Sequence, residues 1–470
     1  DGRNVAIGHE ALKTLNAGAD AYNVAVGYDA GLSISTGVQN TIMGGLAGDA
    51  LTTGSDNVAI GYGAMTTDDA GGRNVAVGKG ALESQNGGDA NVYNIGIGYH
   101  AGNSMTSGLQ NTLIGGLSGD ALTTGDLNVS LGYQSLGTED TGSRNVAVGS
   151  YALQLLNYDG QGYNTGVGYA AGQSISTGTS NTLIGGVSGD ALTTGNNNVA
   201  IGYSSLGAET AGDRSVAVGN FALQLQNHTS NADVYNTAVG YSAGSAITTG
   251  TINTLIGGLA GDALTQGNSN IAIGYQALTS ETKGDRNVAI GVDSLYTQNN
   301  TSDTDVYNVA IGYYAGRSVS TGAHNTIIGG LAGDALTTGS NNVAIGRSAL
   351  TTEDTGSRNV AIGKSALGML NYDGEAYNVA VGYEAGGAIT TGTVNTIVGG
   401  QAGDALTEGS QNVLIGKDAG GALTTGGQNT AVGFEALMTE DTGYTATAIG
   451  FRALKTQDTG NTYNVAVGHA

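Results

Sequence analysis

Short apolar runs recur along the chain at a near-constant interval. Most read Val-Ala-Ile or a close variant, follow an Asn and end on a Gly, as at Asn4, Asn57, Asn287, Asn342 and Asn359. The leading residue falls at 4, 23, 40, 57, 74, 94, 111, 128, 145, 164, 181, 198, 215, 236, 253, 270, 287, 308, 325, 342, 359, 378, 395, 412, 429, 447 and 464, which is 27 starts. On this reading only Ser215 and Thr447 replace Asn, and the step is usually 17, with longer steps of 18 to 21. A second apolar pair follows each run: Ala64-Met65 in the turn from Asn57 to Arg73, with Leu in the Met place in most turns. Elements this short, broken by Gly this often, cannot sustain a helix. The pattern predicts an all-β chain, a parallel β-solenoid or β-roll of about 27 rungs with a 17-residue turn. At ~4.8 Å per rung such a stack is roughly 130 Å long.

A longer period lies above the turn. Asn-Thr-x-x-Gly-Gly-x-x-Gly-Asp-Ala-Leu-Thr begins at Asn40, Asn111, Asn181, Asn253, Asn325 and Asn395, at spacings of 71, 70, 72, 72 and 70. Four turns therefore make a module of about 70 residues, and one turn in four carries a two- to four-residue insertion. The order slips once, where the turn at Asn412 is extra. Residues 1–470 read as a single repetitive domain without linker or capping repeat, and this predicts a segment of a longer chain.

The recurring residue types have physical reasons. Gly lies four and fourteen residues after the leading Asn in the regular turns, which predicts corners that need positive φ. Stacked Asn residues predict an amide ladder. Val58-Ala59-Ile60 is apolar on both strand faces, although side chains alternate along a strand. A continuous apolar run implies burial of both faces. A 17-residue coil can hide one of them, so the other should pack on another chain. Ala gives way to Leu or Ile in the Asn-Thr turns (Ile42, Leu113, Leu183, Leu255, Ile327, Ile397). Val58, Ala59, Ile60, Leu113, Leu183, Leu255 and Ile327 are thus candidates for coil core or oligomer seam. The sequence leaves open which face is which.

Composition narrows the function. Of 470 residues 84 are Gly, none is Pro, Cys or Trp, and the net charge is −23. Acid surplus argues against nucleic acid as a partner, which needs a basic patch. The lack of Cys excludes disulfides and thiolate metal sites. No apolar stretch is long enough to insert into a membrane. Collagen is excluded by the Gly spacing and the missing Pro.

Asn-Val-Ala-Ile-Gly-x-x-Ala-Leu, with the variants Asn-Thr-Ala-Val-Gly (Asn236, Asn429) and Ser-Val-Ala-Val-Gly (Ser215), resembles the head repeats of trimeric autotransporter adhesins. Similar repeats occur in phage tail fibres. The resemblance covers essentially the whole chain. It implies a left-handed parallel β-roll, three rolls packed side by side as a homotrimer, and attachment to a host or surface receptor. The turn here is longer than in that family and carries the four-turn super-period. The resulting expectation is a fibre shaft outside the cell, on a cell surface or on a virion. Other readings are an end-to-end extracellular filament subunit, or a solenoid that binds calcium or ice.

No catalytic constellation emerges, and the chain does not read as an enzyme. Gly240-Tyr241-Ser242-Ala243-Gly244 matches a nucleophile elbow, but Asp29, His100, Ala170, Tyr314 and Glu384 are the repeat equivalents of Ser242. No cofactor is expected apart from calcium. Gly-Gly-Leu-Ala-Gly-Asp-Ala-Leu partly resembles calcium-binding nonapeptide repeats, and its Asp residues (Asp49, Asp120, Asp190, Asp262, Asp334, Asp404) would stand ~20 Å apart. Turn-forming Asp suits that spacing better. Thr pairs such as Thr52-Thr53 and Thr123-Thr124 raise ice binding. The insertions Leu15 to Tyr22, Ser84 to Tyr93, Leu155 to Tyr163, Leu225 to Tyr235, Thr297 to Tyr307 and Met369 to Tyr377 are better candidates, since loops on a rigid scaffold carry binding. Their Asp20, Tyr22, Asp89, Tyr93, Asp159, Tyr163, Asp233, Tyr235, Asp305, Tyr307, Asp373 and Tyr377 suit a glycan: polar groups for hydroxyls and a ring for the sugar face. The alternative is that the Tyr covers the rung edge and the acids keep the fibre soluble.

Overall fold

Every apolar run forms a three-residue strand, from Val5–Ile7 to Val465–Val467. The computed structural model describes residues 2–88, 91–458 and 463–469. Successive strands pair in parallel and in register, Val58 with Val75, Ala59 with Ala76 and Ile60 with Val77. The fold is all-β, a parallel β-solenoid of about 27 turns, with no helix among the described residues. No helix there is long and apolar enough to cross a membrane. The chain divides into two compact units, Asp1–Tyr235 with thirteen of these strands and Asn236–Ala470 with fourteen. Each unit is a stack of the same turn.

With the ladder residue counted as place 1, place 3 points into the coil. Ala59 is fully buried, whereas Val58 and Ile60 on either side are half-buried and face outward. The bulky residues at the same place, Leu113, Leu183, Leu255 and Ile327 with Ile42 and Ile397, are fully buried as well. They belong to the core. Room for them comes from place 9 of the same turn and of the turn before, both Gly, where the turns without such a bulky residue beside them carry Leu or Met. A Cβ on Gly119 would lie 2.9 Å from Leu113 Cδ2, and one on Gly189 would lie 2.8 Å from Leu183 Cδ2. The large side chain has moved across the coil, and close packing is kept.

The two glycine corners have different causes. At place 5, φ runs from +130° to +149°, a region essentially confined to Gly. A Cβ on Gly61 would also sit 2.4 Å from the carbonyl oxygen of Gly78 in the next turn. At place 15 the sequence expectation needs correction, because Gly37 and Gly54 do not have positive φ. Gly is required there by approach alone: a Cβ on Gly54 would lie 2.4 Å from Gly71 O. Much of the left-handed backbone falls on other residues, for example Met65 at φ 53° and Gln110 at φ 59°.

The Asn ladder forms, and it binds mainly to backbone. Asn40 Nδ2 donates to Gly54 O across the coil at 2.9 Å, and its Oδ1 accepts the Asn57 N–H of the next turn at 2.9 Å. Asn57 repeats the pair with Gly71 O at 2.8 Å and Asn74 N–H at 2.8 Å. At Ser215 the hydroxyl accepts from Gln226 Nε2 at 2.8 Å, so a side chain from the same turn reaches the missing amide's place. Thr447 is not a ladder residue. It pairs with Thr430 within the strand, and Ala446 occupies the ladder, its N–H donating to Asn429 Oδ1 at 2.9 Å.

Replacing Gly185 with Ala should cost about 2–4 kcal/mol, from a forbidden φ together with a clash against the next turn. Gln110→Gly, at a left-handed exposed site, should change stability by less than ~1 kcal/mol. Urea unfolding of the two variants beside the parent checks both.

Candidate binding loops

The insertions grow over a buried acid. Place 12 is an aliphatic residue or Met in at least two turns of each module, but in the turn before each of five insertions it is Asp68, Glu139, Glu209, Glu281 or Glu353, each fully buried. A group with no solvent must find donors. Each carboxylate accepts the N–H of the glycine three residues on, at 2.8 Å from Gly71 to Asp68 and 2.6 Å from Gly142 to Glu139. Four of them also accept an N–H from the insertion above: Tyr158 to Glu139 at 3.2 Å, His228 to Glu209 at 2.9 Å, Asn300 to Glu281 at 2.9 Å and Tyr372 to Glu353 at 3.3 Å. The acid thus anchors the loop from below.

An arginine closes it from the side. Arg3, Arg73, Arg144, Arg214, Arg286 and Arg358 each end the turn before an insertion, and each guanidinium lies over the closing Tyr ring, at 5.4 Å for Tyr22, 5.6 Å for Tyr93, Tyr163 and Tyr307, 5.8 Å for Tyr235 and 5.5 Å for Tyr377. The residue two before the Tyr joins the clasp. Asp20 lies 3.3 Å from Arg3 Nε, Arg358 Nη1 donates to Glu375 at 2.6 Å, and Asp233 and Asp305 pair closely with Arg214 and Arg286. Such contacts are individually weak at an exposed site. Asp20, Tyr22, Tyr93, Tyr163, Asp233, Tyr235, Asp305, Tyr307 and Tyr377 therefore cover and fasten the rung edge. Asp89 lies outside the described residues. The arginine went unread in the sequence, although its phase, one residue before the ladder position, recurs six times.

Asp159 and Asp373 behave differently. They stand four residues before the closing Tyr and accept from Thr141 Oγ1 and Thr355 Oγ1, both at 2.8 Å. Each lines an open depression, of about 450 Å³ with Asp140, Asn157, Tyr158 and Thr177, and of about 490 Å³ with Asp354, Asn371, Tyr372 and Thr391. Tyr158 and Tyr372 were not singled out by sequence reasoning. Their signal is Leu-Asn-Tyr-Asp-Gly, present at Leu156 and Leu370 alone.

A second feature missed is an exposed tyrosine column at place 6. It holds Tyr28, Tyr62, Tyr99, Tyr133, Tyr169, Tyr203, Tyr241, Tyr275, Tyr313 and Tyr383, which are 47% to 61% exposed. Place 6 is Gly in turns that carry the Gly-Asp-Ala-Leu segment, and at Gly45, Gly116, Gly186 and Gly258 the next turn's ring lies close, 3.5 Å from a Cβ built on Gly45 to Tyr62 Cδ2.

The Asp residues of the Gly-Asp-Ala-Leu segments recur once per module and are half-buried. Burial raises Asp49, Asp120, Asp190, Asp262 and Asp404 above the ordinary carboxyl range. Among the described residues, the three-residue groups close enough to share a cation are His9, Glu10 and Asp29, and Glu440, Asp441 and Asp458. Neither includes those Asp residues. The first Thr of each pair bonds the next turn, with Thr52 Oγ1 donating to Asp69 O at 2.7 Å and Thr123 Oγ1 to Asp140 O at 2.9 Å. Those hydroxyls are engaged within the fold. No protein-family model and no curated protein matches the chain.

The buried acids predict opposite pH responses. Burial pushes Asp68 up to about 6, so the folded state holds its proton more tightly than the unfolded chain. Its contribution is most favourable at low pH and declines as pH rises from about 4 to about 6. Burial also disfavours the Glu209 anion, but hydrogen bonds from His228, Gly212 and Gln226 outweigh this and bring it down to about 2. Its contribution is present above about pH 4.5 and is lost as pH falls toward 2. Asp68→Asn should therefore stabilise the chain by up to ~2 kcal/mol at pH 7 and flatten the stability slope between pH 4 and 6. Glu209→Gln should destabilise at pH 7 and have less effect near pH 2. Denaturant midpoints measured across pH read both effects.

Proposed function

We propose that the chain is the shaft of a side-by-side homotrimeric fibre, outside the cell or on a virion, that serves attachment. The observation that carries this reading is the outward face of the strand ladder. Place 2 holds Val, Ile or Thr and place 4 holds Val, Ile, Leu or Met turn after turn, and they remain partly open to solvent in a single chain, with Ile184 37% and Ile201 36% exposed. Monomeric proteins seldom leave a continuous apolar stripe uncovered. Copies of the same chain carry the same stripe at the same rise, so side-by-side association covers it in register. The net charge of −23 then faces solvent and keeps the assembly dispersed. A receptor or surface glycan is the partner this reading supplies, and the inserted loops are the places for it.

Light scattering on the purified chain should give three times 46.5 kDa. A stable monomer overturns the proposal, and open-ended filaments in electron micrographs would favour the filament reading instead. Ile184→Lys combined with Ile201→Lys should weaken association while leaving the β circular dichroism of the folded chain in place.

A further inference from the structure

The two Leu-Asn-Tyr-Asp-Gly loops are built alike, one in each compact unit. In the first, the buried Glu139 accepts Tyr158 N–H at 3.2 Å and Gly142 N–H at 2.6 Å. In the second, Glu353 accepts Tyr372 N–H at 3.3 Å and Gly356 N–H at 2.7 Å. Gly160 N–H donates to Tyr158 O at 2.8 Å and Gly374 N–H to Tyr372 O at 2.7 Å, which makes the same tight turn. The turn carries each ring back over its glycine, and a Cβ on Gly160 or on Gly374 would meet the ring's Cε1 at 3.1 Å. Ser143 N–H and Ser357 N–H tie the Gly160 and Gly374 carbonyls to the preceding turn at 2.7 and 2.8 Å. Each aromatic ring is thus fixed by a buried acid, a glycine turn and a backbone tie before any ligand arrives.

The chemistry around the ring is one-sided. Each depression holds two carboxylates, Asp140 and Asp159 or Asp354 and Asp373, with one amide and the hydroxyls of a Thr and the Tyr, and no Lys, Arg or His lines it. Asp140 Oδ1 is buried and has no hydrogen-bond partner, whereas its counterpart Asp354 Oδ1 accepts Thr355 N–H at 2.8 Å. Acceptors outnumber donors, so a complementary ligand brings many hydroxyl or N–H donors, an apolar ring face for the Tyr, and no acidic group. The volumes lie within the roughly 300–1,000 Å³ of small-ligand sites.

We infer that the two loops are equivalent binding sites for a non-acidic saccharide, neutral hexose or N-acetylhexosamine units, and that they reject sialylated and sulfated glycans. The inference rests on the attachment reading and names its ligand class. It also separates these two insertions from the others, which lack Tyr at this position. Two sites on one chain, and six in a trimer, would let weak single contacts add by avidity.

The test uses the full chain. It is screened on an array of neutral hexose and N-acetylhexosamine oligosaccharides beside sialyllactose and sulfated sugars, and the tightest neutral binder is followed by calorimetry. Two sites per chain are expected, with acidic counterparts bound at least tenfold more weakly. Tyr158→Ala should remove one site, and Tyr158→Ala with Tyr372→Ala should remove both, with urea midpoints unchanged as the control for folding. Glycan binding that survives the double variant overturns the assignment of these loops. Equal binding of acidic sugars overturns the ligand class, and the absence of any glycan binding by a folded chain overturns the inference altogether. None of these results bears on the fibre itself, whose trimeric state is read separately by light scattering.

Discussion

The whole architecture depends on one buried amide per turn. A turn of 17 residues has little interior, and its backbone must still satisfy every N–H and C=O that it hides. The ladder Asn meets this demand in two directions at once. Its Nδ2 closes the coil on the glycine carbonyl across it, and its Oδ1 receives the next turn's N–H. Without the first bond the turn has no fixed circumference, and without the second it has no fixed height. The glycine corners follow from the same height. Turns held this close leave no room for a Cβ beneath the carbonyl above.

Within that frame the modules differ by exchanging contents. The Asn-Thr turns place Leu or Ile at place 3 and Gly at place 9, and most of the other turns carry Ala and Leu there. The turn before an insertion trades its place-12 aliphatic group for a carboxylate, and the loop above supplies part of that carboxylate's hydrogen bonding. The binding loops are therefore part of the core's accounting of polar groups. Their rigidity is inherited from a side chain that no ligand touches.

Much of this was legible in the sequence. The strands, the parallel stacking and the ladder follow from the Asn-to-Gly phrase alone. Other features were hidden for physical reasons. An apolar triplet does not say which face turns inward, because Val, Ala and Ile are all at home in a core; size decided it, with Ala alone fitting the narrow interior in most turns. Ala446 and Thr447 are equally plausible ladder substitutes by type, and only the distance to Gly450, four residues after Ala446, separates them. Asp68 and its counterparts went unread, because carboxylates are rarely buried and their column shows only once the register is set. The clasp on the closing Tyr residues was hidden because the arginine that holds each of them lies some 20 residues earlier in sequence.

The paired exchange of Leu at place 3 with Gly at place 9 has a bearing on how such chains change length. A place-3 Leu uses the Gly of its own turn and the Gly of the turn before, since a Cβ on Gly102 would lie 2.7 Å from Leu113 Cδ1, so those two turns travel together. The buried acid has a similar tie, since part of its hydrogen bonding lies in the following turn. The smallest segment that can be copied without orphaning a carboxylate is the stretch that includes the acid and the loop above it. Lengthening by recombination should then proceed in steps that keep this pair together, and the four-turn module of about 70 residues is such a step. The extra turn at Asn412 has Leu423 at place 12. It is an aliphatic turn without a carboxylate to orphan, and its Leu414 finds room against Gly420 of its own turn and Gly403 of the turn before.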